Sequence, residues 1–499
     1  MSHKILFYLD LFTLHFALAN YLQNNIDCEL FALIDTTDKP KRFFENQKIV
    51  DFKKSWFYHD KIDTKVDPDR EYISKFSKKY DIDVEKFIEN DRHFNHYNEF
   101  YKFSEEEKKS IVAQESKLYE SIIDEVKPDF LIITQPSLRH SYFFYELCKK
   151  NDVIPLVINP SLLGYQTYVS SYINRLDSHD TKNLVIKDKS FKDLRLILEE
   201  HNVNTQIIDY IEKFGNSKIK LIKAAFEFLF KNNNSNIKTH YTYFGRTKLK
   251  VLRWSMNNSK QKSIRKKFID ENLDRELLDE NFIYFPLQVE PDRNLLLGAP
   301  DYTDQLRSIK EIKRCLPNNY KLYVKEHPGQ NRTWRETKFY KEILNLENVK
   351  LIHPSFPSEK IYKKCDLVIT AAGTSGFEAL FHGIPVITFA DTLYSDLPSV
   401  KKINSFSELE ITIKKLLNEK PVPNELNKLL QLLKENSTDF DLFGYYTIQA
   451  REFFHDSNLI DVEISEEKMK KFLELNVSHI ALIGDLLLQK ISFHSDIQR

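Results

Sequence analysis

The sequence predicts an α/β chain of two Rossmann-like domains followed by a helical C-terminal tail. Three observations carry this. Residues 322–390 read strand, loop, helix, strand, with polar and glycine residues closing the strands. The first 160 residues repeat a unit of apolar strand followed by polar loop. After Ser405 the apolar spacing turns helical, over Ser405–Leu417, Asn424–Glu435 and Tyr445–Phe454.

Lys4–Leu9 reads as a strand, Thr13–Asn24 as a helix and Cys28–Ile34 as the next strand. Ile5–Ala19 is apolar enough to imitate a signal sequence, but Asp10 and His15 interrupt it and no small-residue cleavage site follows. Residues 37–100 are irregular and charged, and read as an insertion. Ser104–Val126 has helical spacing at Ile111, Leu118, Ile122 and Ile123, and Pro128 ends it. Asp129–Thr134 is a buried strand closed by Gln135-Pro136-Ser137, and Ile154–Ile158 repeats the pattern before Asn159-Pro160-Ser161. Such alternation predicts a parallel sheet. The run Lys231-Asn232-Asn233-Asn234-Ser235-Asn236 breaks the pattern and precedes Lys238–Lys267, which holds ten Lys/Arg and no acid. The first domain is therefore placed at 1–270, including the 37–100 insertion and a basic linker at 231–270. The second takes 271–425, and C-terminal helices take 426–499.

A chain of 499 residues can bury more than one core. Lys+Arg and Asp+Glu are both 73, so bulk charge gives no reason to expect nucleic acid as a partner. Cys28, Cys148, Cys315 and Cys365 are far apart and form no CxxC, which reads as buried reduced thiols in a cytoplasmic protein. No uninterrupted apolar run reaches the roughly 18 residues of a membrane span.

The chemistry gathers in the second domain. The strand Lys321–Lys325 closes with Glu326-His327-Pro328. The strand Asp366–Thr370 ends in Ala371-Ala372-Gly373-Thr374-Ser375-Gly376, then a helix begins. Open α/β sheets bind ligands at the carboxyl ends of their strands. Small residues let the backbone approach a phosphate, and a helix N-terminus supplies free N–H groups. Hydroxyls of Thr374 and Ser375 can then hold a phosphate without a metal, or one of them is an ordinary N-cap. Glu378 either reaches ribose or completes a capping box with Ser375. Lys325 alternates with Val324 and can face either way. Gln288, Glu290 and Asp292 follow the strand Phe282–Leu287, where a carboxylate can deprotonate an acceptor hydroxyl; Pro291-Asp292 also reads as a plain turn. Asp10 and His15 follow the first strand and are further base candidates, with Gln135 and Arg139 as acceptor contacts. No DxD pair closes a strand, so neither a metal nor any other cofactor is implied.

Glu326-His327-Pro328 and Gly373-Thr374-Ser375-Gly376-Phe377-Glu378-Ala379-Leu380, with Gly383-Ile384-Pro385-Val386-Ile387, resemble the C-terminal half of capsule polysaccharide biosynthesis proteins. Phe285–Asp292 is similar to the same family's Pro-Leu-Gln…Asp segment, so the resemblance covers about 280–400. Ala372 and Ala390 depart from it, standing where the family usually carries Asn and Gly. The resemblance implies a GT-B glycosyltransferase: two Rossmann-like domains around a cleft, with a C-terminal helix returning to the first. It implies a nucleotide-sugar donor such as CMP-Kdo, bound by the second domain with His327 and Pro328 on its phosphate, Glu378 on its ribose, and Gln288, Lys325, Glu326, Gly373, Thr374, Ser375 and Gly376 as further donor contacts. The acceptor would be a glycan or a lipid-linked glycan. Three alternatives stay open: a CDP-glycerol-type glycerophosphotransferase, whose loop usually reads Asp-Tyr-Ser-Ser; a UDP-sugar 2-epimerase, which carries paired Glu residues; and a non-catalytic scaffold. The basic segment, interleaved with Tyr241, Tyr243, Phe244, Leu249, Val251, Leu252 and Trp254, suits an anionic membrane surface or a solvated linker. The first of these would make the protein peripheral at the inner face of the membrane.

Overall fold

The computed structural model describes residues 2–10, 13–97, 99–177, 187–201, 218–231, 235–330 and 335–497. Two compact units emerge. Unit 1 comprises Met1–Ser178, His201–Val251 and Leu433–Arg499, and unit 2 comprises His179–Glu200 and Leu252–Leu432. The division falls inside one helix, Lys248–Asn272, rather than near residue 270. Of the asparagine-rich break, Asn232, Asn233 and Asn234 lie outside the described residues.

Unit 1 holds strands β1 (His3–Leu9), β2 (Cys28–Ile34), β3 (Phe52–Phe57), β4 (Phe130–Thr134), β5 (Ile154–Pro160) and β6 (Thr167–Ser170). Unit 2 holds β7 (Phe282–Pro286), β8 (Lys321–Lys325), β9 (Val349–Ile352), β10 (Leu367–Thr370), β11 (Val386–Thr388) and β12 (Val400–Lys402). A short β13 (Ser437–Thr438) returns to unit 1. The sheets run β13-β6-β5-β4-β1-β2-β3 and β12-β11-β10-β7-β8-β9. Among the described residues every pairing in unit 2 is parallel, and in unit 1 only β5–β6 and β6–β13 are antiparallel. This is the fold class the sequence predicts, two doubly wound α/β units with helices after them.

The strands read as near-continuous apolar runs because both faces are covered. On β1, Ile5, Phe7 and Leu9 enter one core while Leu6 and Tyr8 enter the core on the opposite face. The first core also takes Tyr445, Phe472, Ile483 and Leu487, so the C-terminal helices complete unit 1. Ser104 caps the helix Glu105–Val126 with a capping box to Glu107.

The 37–100 segment corrects the sequence reading. It is not irregular: Phe52–Phe57 pairs in parallel with β2 as the edge of the sheet. Lys53 and Lys54 are exposed there while Trp56 is buried. Lysines on an edge strand discourage pairing with another chain, and they also hide its alternation.

Candidate active site

In each sheet the chain reverses its direction of growth at one point, and ligands bind in the crevice outside the carboxyl ends of the strands there. In unit 2 this switch lies between β7 and β10, which are neighbours. Gln288 follows β7, and the loop to Gly373 follows β10. The Gln288 side chain donates to Thr370 Oγ1 at 3.1 Å, and Thr370 Oγ1 accepts from the Gly373 N–H at 3.3 Å. A Cβ on Gly373 would stand 2.7 Å from Gln288 Nε2, so glycine is what lets the loop lie on this amide. A Cβ on Gly376 would stand 2.4 Å from Tyr394 Oη and 3.0 Å from Val386, so glycine there lets the helix Thr374–Phe381 approach the sheet.

No side chain caps that helix. Gly373 is its N-cap residue; Thr374 is exposed and Ser375 half-buried. The expected capping box is absent, because Glu378 Oε2 instead accepts from the Tyr362 hydroxyl at 3.0 Å. An uncapped helix start carries unsatisfied N–H groups and a positive dipole end. Here the exposed Thr374 hydroxyl stands beside it, with the Ser375 hydroxyl hydrogen-bonded to Tyr362.

The β8 end is divided between structure and chemistry. Glu326 is fully buried, which corrects its expected place on the donor. Its carboxylate pairs with Arg335 at 2.5 Å, accepts from the Tyr340 hydroxyl, and takes the His327 N–H at 2.6 Å. Arg335 is itself fully buried and also donates to the Gln288 carbonyl at 2.6 Å. It thereby fastens the loop after β7 to the loop after β8. Lys325 is buried too, with Nζ donating to Ser358 Oγ at 2.7 Å. Burial lowers its ammonium to about 8, while Glu378 pulls the other way.

His327, with Pro328 and Gly329, is exposed. The Gly329 N–H donates to His327 Nδ1 at 2.9 Å, which places the ring proton on Nε2. Desolvation, with the Arg335 and Lys325 charges, holds its imidazolium below the ordinary value against the pull of Glu326 and Asp292. The ring is thus a neutral N–H donor.

The carboxylate candidates are committed elsewhere. Glu290 accepts from Gln305 at 2.5 Å and pairs with Arg335 at 3.2 Å, which removes it as a free base. Asp292 Oδ2 accepts the Asn294 N–H at 3.0 Å, the turn cap that Pro291-Asp292 foreshadows.

In unit 1 the equivalent switch, between β1 and β4, is closed. His15 is buried, and its Nε2 accepts from the Thr134 N–H at 2.8 Å and lies 2.7 Å from the Thr134 hydroxyl. Half-buried Asp10 stands 3.6 Å from His15 Nδ1. His15 is a buried link between two strand ends, not the base expected of it. Arg139 is likewise no acceptor contact: it is buried against Asp91 and Glu115. Gln135 donates to Asn174 at 2.5 Å.

Sequence reasoning missed a cluster one strand further out. Asp35, after β2, accepts from Tyr8 Oη at 2.9 Å and lies 2.8 Å from His140 Nε2 and 3.1 Å from His59 Nε2. Burial pushes its carboxyl up, but the two imidazoles win and hold it well below the usual range. His59 Nδ1 has no hydrogen-bond partner. His59 borders a cavity of about 580 Å³ with Lys65, Tyr101, Glu107 and Lys238. The signal was present, since Trp56-Phe57-Tyr58-His59-Asp60 is a strand followed by polar residues.

The basic segment is also reassigned. Tyr241 is buried in unit 1, and Phe244 packs against the same core, so these aromatics do not face outward together. Among the described residues no single helix is long and apolar enough to cross a membrane. The bent pair Glu466–Leu475 and Val477–Ser495 comes nearest, and its Met469, Phe472, Ile483 and Leu487 lie in the core of unit 1.

Among solved structures the chain is similar to UDP-GlcNAc 2-epimerase from Methanocaldococcus jannaschii, at 13% identity over 87% of this chain and 100% of that one, TM-score 0.25. It is also similar to the β-Kdo 2,7 transferase of Thermosulfurimonas dismutans KpsC, at 15% identity over 66% of this chain and 84% of that one, TM-score 0.32. No curated protein matches its sequence. Residues 198–398 match the capsule polysaccharide biosynthesis protein family, a longer stretch than the motifs alone delimit and one that contains the whole β7–β8–β10 site.

Proposed function

We propose that this chain is a cytoplasmic, metal-independent glycosyltransferase of capsular polysaccharide assembly. Unit 2 would bind the nucleotide-activated sugar, with CMP-Kdo as the donor to test first. The observation that carries the reading is the uncapped start of the helix Thr374–Phe381 at the β7/β10 switch, with Thr374 and Ser375 on it. Neutral donors of this kind stabilise negative charge building on a departing phosphate, and they are fixed before the reaction. His327 Nε2–H is a further donor from the neighbouring strand end. Buried Gln288, Glu326 and Arg335 hold the two loops and need not touch the donor.

On the acceptor side we place the base at His59, oriented by Asp35. A base needs an unpartnered nitrogen and a fixed ring; His59 Nδ1 is unpartnered, though buried, and Asp35 fixes the ring through Nε2. The acceptor, a glycan or a lipid-linked glycan, would yield its hydroxyl proton to this nitrogen.

Thermal unfolding of the purified protein with CMP, UDP or CDP-glycerol tests the donor. CMP should raise the midpoint most, and excess EDTA should leave both the shift and the turnover unchanged. A rise with CDP-glycerol alone would favour glycerophosphate transfer. A rise with UDP, together with conversion of UDP-GlcNAc to its 2-epimer, would favour epimerisation.

A further inference from the structure

The helix Lys218–Phe226 and its continuation Glu227–Lys231 carry two apolar faces, and unit 1 uses only one of them. On the inner face Ala224 is buried and Phe228 packs against the core. Polar ties fix the same side: Lys220 Nζ pairs with Asp456 at 2.8 Å, and Glu227 lies 3.2 Å from His455. The helix is therefore anchored.

Among the described residues nothing covers the opposite face. Ile219, Ile222, Phe226 and Phe230 follow one another at steps of three and four and are 66%, 68%, 54% and 72% exposed. The Phe226 and Phe230 rings meet with centroids 4.8 Å apart and planes tilted by 40°. Monomeric proteins seldom leave such an apolar patch in water without a use. Exposed Lys223 and Lys231 flank the stripe. Lys248 donates to the Leu229 carbonyl at 2.6 Å, which brings exposed Leu249 and Lys250 alongside it.

We infer that this face is a docking surface for an anionic lipid bilayer. Apolar side chains that project from an anchored helix can enter the boundary between headgroups and acyl chains, and lysines at the rim meet anionic headgroups. Charge selects this occupant: Lys223 and Lys231 are exposed at the rim, whereas the segment's acid, Glu227, is turned inward to His455 and Lys220 inward to Asp456. A second copy of the chain would set these lysines against themselves. The surface is distinct from the run Lys260–Lys267, which lacks an apolar stripe of this kind, and the inference does not depend on which nucleotide unit 2 binds.

The test is co-sedimentation of the full chain with vesicles of equimolar phosphatidylglycerol and phosphatidylcholine, beside vesicles of phosphatidylcholine alone. The protein should pellet with the anionic vesicles, and less so as salt rises. The triple variant Ile222→Ser, Phe226→Ser, Phe230→Ser should lose at least about tenfold in partitioning and keep its melting temperature, since those side chains leave the core untouched. Lys223→Ser with Lys231→Ser should weaken binding and flatten its salt dependence. Changing Lys260, Lys262 and Lys267 to Ser should leave binding as it is. Equal pelleting of the triple and unaltered proteins, or none by either, overturns the assignment. A dimer in sedimentation velocity that the triple variant dissociates would give the face to a second copy instead.

Discussion

At the switch of unit 2 the strand ends carry Gly373, Thr374 and Ser375 at an uncapped helix start, whereas at the switch of unit 1 His15 is locked onto Thr134. Both sheets are doubly wound, so topology alone offers a ligand crevice in each. What differs is whether the polar groups there are already spent. In unit 2 the charged groups are withdrawn into the Glu326–Arg335 pair, leaving neutral donors at the surface. In unit 1 the His15 ring is tied to Thr134 through Nε2 while its Nδ1 has no hydrogen-bond partner, and a second unpartnered nitrogen, His59 Nδ1, follows the edge strand β3. On the proposed reading, phosphate binding draws on unit 2 and proton transfer on unit 1.

The sharpest break in this comparison is Glu326→Ala. It strands the buried Arg335 guanidinium, and removing one partner of a buried pair costs about 3–5 kcal/mol. A marked fall in the urea midpoint of unit 2 is expected, with unit 1 unchanged. A variant that unfolds with wild-type urea dependence would mean that the pair does not hold the site. Gly376→Ala should follow at about 1–3 kcal/mol, the range for overpacking, because its new methyl meets Tyr394 and Val386.

Function should separate the units next. Thr374→Ala with Ser375→Ala, or His327→Ala alone, should weaken nucleotide binding by roughly ten- to hundredfold, as hydrogen bonds to a charged group are worth about 1.5–3 kcal/mol. His15→Ala should cost stability by leaving the Thr134 N–H unpaired, yet leave nucleotide affinity alone; calorimetric titration reads both. His59→Gln should lower turnover by about 10²-fold or more with nucleotide binding intact, while Asp292→Asn, a change to a turn cap, keeps most of it. The reverse ranking would return the base to Asp292.

The sequence made unit 2 legible because its motif residues are consecutive. Strand, small-residue loop and helix lie within Leu367–Phe381, and local pattern suffices for them. Partners brought together by the fold were not legible. Glu326 reads as a site residue until Arg335, nine positions on, is seen to bury it, and nothing in the spacing announces that contact. His15 failed for the same reason, since its partner Thr134 is 119 residues away. β3 was lost differently: Lys53 and Lys54 masked its alternation, and with it went His59 at its carboxyl end. The lesson is specific. A polar residue at a strand end is a candidate, and only the neighbouring strand decides whether it is free.

The smallest expected effect concerns Lys325, buried at the end of β8. Its folded-state value of about 8 lies below the roughly 10.4 of a free lysine. Between those values the unfolded chain binds a proton that the folded chain does not, so this group makes stability rise with pH. Below about 8 both states hold the proton and the slope vanishes. Lys325→Met removes the titration and nearly keeps the volume. The stability difference, unaltered protein minus variant, should therefore grow in favour of the unaltered protein by about 1–2 kcal/mol from pH 7 to about pH 9.5. Tyrosines and cysteines also titrate at alkaline pH, but they are common to both proteins and cancel in the difference. Urea unfolding at several pH values measures it. A flat difference would mean that Lys325 keeps the value of a free lysine when folded, with Glu378 outweighing burial.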